Sequence, residues 1–253
     1  MTPRRLAPEA LDYSARAMDV LERAQEIAWY HAIELEPGRK TEAMFDLDRF
    51  QHHYGLPERL DGKRCLDVGT WDGYWAFEME RRGAAEVVAL DLDDERQLDW
   101  PPRRRPARFS DTPRGAGFRL ASEQLGSSVE RVVRSIYDAT PEDLGTFDLI
   151  FCGSVLVHLR DQLLALERIA ALCRGTFISA EPYDRLMRLL PFSATRYRAD
   201  VDEDVVFWLP GPRTWGRMLW TAGFDRVERR ARFDLQAVAG WKVPHVVHHA
   251  HKT

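Results

Sequence analysis

The 253 residues carry 36 Lys and Arg against 40 Asp and Glu, a formal net charge of −4, with 45% hydrophobic and 30% charged side chains. That balance fits a soluble globular chain, one large α/β domain or a domain with an appendage, and argues against a protein held on nucleic acid by its overall charge. Three cysteines sit in apolar segments without disulfide spacing, MTPRRLAPEA has no apolar signal core, and no run reaches membrane-spanning length, which together point to a reducing, cytoplasmic setting with no membrane partner.

In chain order, Pro8 is placed to open a helix along which Leu11, Ala15, Met18, Leu21 and Ala28 recur. A polar-aromatic stretch, WYHAIELEPGRKTEAMFDLDRF, follows, and LPERLDGKR (56–64) reads as a linker. Residues 1–55 are therefore expected to form an N-terminal helical cap and acceptor lid, and 56–253 the main domain. From Arg64 short apolar runs alternate with helical stretches: RCLDV, EVVALD (86–91), VERVVRSIYD (129–138), FDLIFCG (147–153) and TFISAE (176–181). Leu163, Leu166, Ile169 and Cys173 mark an amphipathic helix between the last two. Such alternation predicts a Rossmann-like, mostly parallel sheet with helices on both faces. PGPRTWGRMLWTAGF (210–224) reads as a turn and a helix capped by Gly223. DRVERRARF and VPHVVHHAHK then read as a C-terminal antiparallel hairpin. Arg103, Arg104, Arg105 and Arg108, among prolines, read as a solvated insertion.

The chemistry gathers at strand ends. CLDVGTWDG runs from a strand into a glycine turn, but a dinucleotide site needs glycine where pyrophosphate meets the backbone, and there the chain has Trp71 and, later, Tyr74. No Gly-Lys-Ser/Thr follows, so the loop is no P-loop either. A cosubstrate with an amino-acid end, a ribose and an adenine fits better. Asp67 closes the first strand, facing an ammonium; Asp91 closes the second, set to accept ribose hydroxyls; Asp138 is expected to close the third, facing an adenine amine. Gly69 and Gly73 let the backbone come close, and Trp71 is expected to pack over the cosubstrate or under the cap.

The motifs DVGTWDG (67–73), VVALDLD (87–93), SIYDATPEDLGTFDLIFCGSVLVHLRD (135–161) and the closing WLPGPRTWGRMLWTAGF resemble the class I S-adenosylmethionine-dependent methyltransferases over about residues 56–253. Trp71 departs from the family's usual glycine-rich loop. The DVGTWDG form is similar to the branch containing tRNA wobble-uridine carboxymethylating enzymes and bacterial small-molecule methyltransferases. The resemblance implies S-adenosylmethionine as cosubstrate. It places Asp67, Gly69, Thr70, Trp71 and Gly73 at the methionine end, Asp91 and Leu92 at the ribose, Tyr137 and Asp138 at the adenine edge, and Ser154 and His158 after the fourth strand.

For the acceptor, EPYD at the end of the fifth strand offers Glu181 and Tyr183 as catalytic candidates. The N-terminal segment offers Trp29, Tyr30 and Glu34 as acceptor contacts, and His31 as a base, imidazole being the side chain that titrates nearest neutrality. Aromatic residues crowd these regions, which suits a planar small-molecule acceptor such as a phenol or indole of specialised metabolism. A tRNA substrate, or a cosubstrate-binding module without catalysis, are the rival readings. The tail holds four histidines, His245, His248, His249 and His251, but lacks a partnering Cys or Asp cluster, so no metal is expected.

Overall fold

The computed structural model describes residues 19–200 and 205–253. Seven strands form the central sheet: β1 (Arg64–Val68), β2 (Glu86–Asp91), β3 (Glu130–Val133), β4 (Phe147–Gly153), β5 (Cys173–Pro182), β6 (Arg226–Gln236) and β7 (Lys242–His251). Their order is β6-β7-β5-β4-β1-β2-β3. The five strands β1 to β5 are parallel, while β7 runs antiparallel to both β5 and β6. Strand order reverses beside β1, and the crevice at the carboxyl ends of such a sheet is where ligands bind.

Both faces of the sheet are covered, as continuous apolar strands require. Cys65, Leu149, Phe151, Ile178 and Val247 face one buried cluster, with Trp75, Ala76 and Met79 of α1 (Tyr74–Arg81) and Phe118, Leu120 and Ala121 of α2 (Ala116–Leu125). Leu66, Val68, Ile150, Cys152, Phe177 and Val246, one residue out of phase, face the other. There they meet Leu166 and Ile169 of α3 (Gln162–Leu172) and Trp215 and Leu219 of α4 (Pro212–Thr221). Local chemistry sets the helix ends. Asp161 caps α3 by accepting from the Leu164 N–H, Pro212 opens α4, and Gly223, at φ +103°, follows its last turn.

The expected third strand is shorter than its apolar run. β3 stops at Val133, and Asp138 lies five residues further on, exposed, at the end of the 3-10 turn Ile136–Asp138. Ser135 causes the break, because its side chain accepts the Tyr137 N–H and turns the backbone out of the ladder. The N-terminal helix expected from Pro8 lies mostly outside the described residues. Among the described residues a short helix runs over Val20–Ala24, started by a capping box between Asp19 and Glu22. Beyond it the segment folds as short strands. Trp29–His31 pairs in parallel with Ala43–Phe45, and Glu34–Glu36 turns back on Arg39–Lys40. Trp29, Leu35, Phe45, Leu47, Tyr54, Leu56 and Leu60 all join the first buried cluster, so the stretch read as a linker is packed against the sheet.

Candidate active site

The loop from β1 to α1 takes left-handed backbone at alternate positions: Gly69 at φ +73°, Trp71 at +46° and Gly73 at +93°. At Gly69 a Cβ would stand 2.3 Å from Val155 Cγ2, and at Gly73 one would stand 2.5 Å from Phe77 Cε2, so both positions need glycine for space as well as for conformation. Trp71 has no such licence, and a non-glycine residue there costs about 1–3 kcal/mol. Three contacts hold it. Its N–H donates to Asp91 Oδ2 (2.8 Å), its indole N–H donates to the Ala28 carbonyl (3.3 Å), and Arg114 stacks 4.0 Å from its ring. The indole thus lies under the N-terminal segment, 5.7 Å from the Tyr30 ring.

Asp91 closes β2 with its other oxygen accepting the Leu92 N–H at 2.7 Å, so the carboxylate is oriented by two peptide groups. Asp67, at the end of β1, is buried; desolvation pushes its carboxyl up to about 7. Its Oδ2 and the neighbouring Thr70 hydroxyl are both buried without a well-formed hydrogen bond, although the hydroxyl lies close enough to favour the ionised carboxyl. Such atoms are uncommon in folded proteins, and at a strand end they suit a ligand that completes the bonding.

Asp72 was not singled out by sequence reasoning, yet it joins the two parts of the site. It is fully buried. Oδ2 accepts the backbone N–H groups of Tyr30 (2.9 Å) and His31 (2.7 Å), and Oδ1 accepts the His31 Nδ1–H at 2.8 Å. Its only sequence signal was an acidic residue just before the loop's last glycine, which looks like an ordinary helix start.

A second polar group lies between the ends of β4 and β5. Glu181 is fully buried; its Oε1 accepts from the Val155 and Leu156 N–H groups (3.3 Å each) and from Cys152 Sγ (3.7 Å). Burial pushes its carboxyl up to about 8, and its Oε2 has no partner. Ser154 adopts φ +57°, and its Oγ lies 2.8 Å from His245 Nε2. Because His245 Nδ1 faces the Val243 carbonyl at 3.1 Å, which only accepts, the proton sits on Nδ1 and Ser154 donates to Nε2. Burial holds His245 down to about 4, so the ring is neutral. The Tyr30 phenol, pushed up to about 12 chiefly by burial, lies near Ser154 and within electrostatic reach of Glu181. His245, like Asp72, was missed as a site residue; it was seen only as one of the tail histidines.

The remaining candidates fall in different places. The Tyr137 hydroxyl donates to Asp99 Oδ2 (2.6 Å) and accepts the Asp161 N–H (3.0 Å), bracing the loops that carry Asp99 and Asp161. His158 is exposed, with Nδ1 against the Val205 carbonyl. Tyr183 is buried in the second cluster. Trp29 is a core residue, its indole donating to the Ala24 carbonyl at 2.9 Å and its ring packed against Gly117. Glu34 is exposed, and its carboxylate accepts the Gly38 N–H to close a surface hairpin; this removes Trp29 and Glu34 from the acceptor contacts expected of them. In the tail, His249 faces the Tyr54 carbonyl and His251 the Thr176 hydroxyl. No cluster of potential metal ligands occurs among the described residues.

A doubly covered parallel sheet ending in an antiparallel pair defines the class I methyltransferase fold. The donor set fits S-adenosylmethionine: a buried carboxyl with an orphaned oxygen for a cationic group, a backbone cradle that a Cβ would fill, and an oriented carboxylate at the second strand end. The chain matches the methyltransferase domain family over residues 41–229 and belongs to it; the methyl donor is S-adenosylmethionine. Among curated relatives it is similar to the ubiquinone biosynthesis O-methyltransferase of Vibrio parahaemolyticus, at 30% identity over 115 residues, 46% of this chain and 41% of the relative. The corresponding protein of Xanthomonas euvesicatoria is 31% identical over 115 residues, 46% and 40% of the two chains. The matched region thus spans about two fifths of the length of these relatives. Among solved structures, the N-terminal domain of EvdMO1 with S-adenosylhomocysteine bound superposes with a TM-score of 0.64 at 17% identity, covering 92% of this chain and 96% of that one. A Burkholderia thailandensis 1,6-didemethyltoxoflavin-N1-methyltransferase gives 0.55 at 15% identity, covering 82% and 80%. At these identities the likeness is one of fold.

Proposed function

We propose that this protein transfers a methyl group from S-adenosylmethionine to a hydroxyl of a small, planar aromatic acceptor, with Glu181 as the general base. The observation that carries the proposal is the buried Glu181 carboxyl, displaced to about 8, with one oxygen held by backbone N–H groups and the other free of partners. A group of that acidity is matched to removing the proton of a weakly acidic hydroxyl, whereas a methyl acceptor that needs no deprotonation needs no such residue. The bound donor supplies a methyl group already activated by a sulfonium. The chain's part is to hold the acceptor oxygen in line and to take its proton onto Glu181 Oε2.

Tyr30, near Ser154 and Glu181, and Trp71, whose ring lies 5.7 Å from that of Tyr30, offer aromatic faces to a planar acceptor. The name of the Vibrio and Xanthomonas relatives, O-methyltransferases of ubiquinone biosynthesis, agrees with a hydroxyl on an aromatic ring. His31, whose Nδ1–H is held by Asp72 so that Nε2 is the free nitrogen, is the second candidate for the base. The test is methyl transfer from labelled S-adenosylmethionine to a metabolite extract, to catechol and to bulk tRNA. Label in a small phenolic product, lost in Glu181→Gln, is the expected result. Label confined to tRNA would replace this reading with the rival one, and label in no fraction despite donor binding would leave a binding module.

A further inference from the structure

We infer that residues 185–192, in the loop that leaves β5, form a docking surface for an anionic lipid bilayer. This goes beyond the methyltransferase reading and does not depend on which acceptor is used. Leu186, Leu189 and Phe192 are 61%, 73% and 61% exposed. Large apolar side chains grouped on a surface mark a contact with something apolar. The backbone explains why they stand together. Leu186 caps the 3-10 turn Met187–Leu189, and at three residues per turn Leu186 and Leu189 project on one side. Pro191 ends the turn, with Leu190 extended at ψ 137°, as a residue before proline requires.

The loop is anchored. The buried Asp184 carboxylate accepts the Leu186 and Met187 N–H groups through Oδ1 (2.7 and 3.1 Å) and pairs with Arg196 through Oδ2 at 2.9 Å. From α4, Arg213 donates to the Pro191 carbonyl at 2.7 Å, and Thr214 Oγ1 bonds both the N–H and the carbonyl of Ala194. The apolar side chains are thus presented before any partner arrives, which lowers the ordering cost of binding. Charge selects the partner. Residues 185–198 hold four arginines and no Asp or Glu. Arg185 pairs with Asp234, but Arg188 is exposed on the turn with no ion pair among the described residues. Guanidinium groups beside exposed Leu and Phe match phosphate headgroups above acyl chains. A second copy of the chain suits the face poorly, since a two-fold contact would crowd the arginines of both copies together. Three apolar side chains are also few for a protein interface, which takes about 800 Å² from each partner. Among the described residues no helix is long and apolar enough to cross a membrane, so the contact is peripheral. Because the loop follows the carboxyl end of β5, docking turns the mouth of the crevice toward the bilayer.

Co-sedimentation of the full chain with two kinds of vesicle tests this, one of phosphatidylcholine alone and one with about a third phosphatidylglycerol. The protein should sediment with the anionic vesicles, far less with the neutral ones, and less again as salt rises. A variant carrying Leu186→Ser, Leu189→Ser and Phe192→Ser together should lose at least tenfold in vesicle partitioning, and Arg188→Glu alone should lose severalfold. Both should keep wild-type affinity for S-adenosylhomocysteine by calorimetry, which shows that they fold. No sedimentation with anionic vesicles, or sedimentation unchanged in both variants, overturns the inference. A wild-type protein that binds no vesicle but self-associates in sedimentation velocity, and that the triple substitution makes monomeric, assigns the face to a second copy and overturns it as well.

Discussion

The peptide N–H of Trp71 donates to the carboxylate of Asp91 at 2.8 Å, tying the glycine loop after β1 to the end of β2. The same carboxylate is the one we propose to receive a ribose, so in that reading the loop's shape and the ribose contact depend on one side chain. Asp91→Ala should weaken S-adenosylhomocysteine binding by about 1.5–3 kcal/mol, the range for lost charge-assisted hydrogen bonds. Asp91→Asn, which retains a carbonyl acceptor, should lose less. Isothermal calorimetry checks both, and an unchanged dissociation constant in the Ala variant places the ribose elsewhere.

Gly69→Ala puts a methyl group 2.3 Å from Val155 Cγ2 at a φ of +73°. Both conflicts are steric and neither is relieved by a flexible side chain, since the valine is anchored between Ser154 and Leu156. The variant should be about 1–3 kcal/mol less stable by urea denaturation and should lose measurable donor affinity.

Removing Asp72 strands the N–H donors of Tyr30 and His31 and loosens that of Tyr74 at a buried position. Asp72→Ala is expected to lower stability by about 2–4 kcal/mol, the loss of a buried acceptor shared by Tyr30 and His31. Because the N-terminal segment and the glycine loop meet at this residue, the variant should also lose protection from hydrogen exchange across residues 29–45. Protection unchanged across that stretch would show that the lid holds without it.

Glu181 should give stability a pH dependence of defined sign. Its carboxyl titrates at about 8 in the folded chain against 4.5 as the reference value, so the folded state binds the proton more tightly. Its contribution is complete below about pH 4.5 and is lost as pH rises toward 8. Glu181→Gln, neutral at every pH, should therefore gain thermal stability relative to wild type as pH increases from 5 to 8. In transfer assays the same variant should fall by about 10²–10⁴-fold, and the wild-type rate should rise with pH through about 8. A flat stability difference across that range would place the carboxyl in a solvated position.

Much of this protein is written in local sequence. Alternation of apolar runs fixed strands β1, β2 and β4 to the residue, and Asp67 and Asp91 could be assigned because a strand's end is found wherever its apolar run meets a turn. The same rule misplaced Asp138, since Ser135 diverts its own backbone before the apolar run ends. Long-range pairing was invisible to it. Nothing in the sequence around Asp72 states that its partners lie some forty positions earlier, and His245 reads as one histidine among four until β7 is laid beside β5 and brings it to Ser154. The displaced acidity of Asp67 and Glu181 likewise comes from burial, a property of the assembled fold. Sequence determined which carboxylates stand at strand ends; only the tertiary structure decided which of them are dry, which are oriented, and which side chains from distant segments meet them.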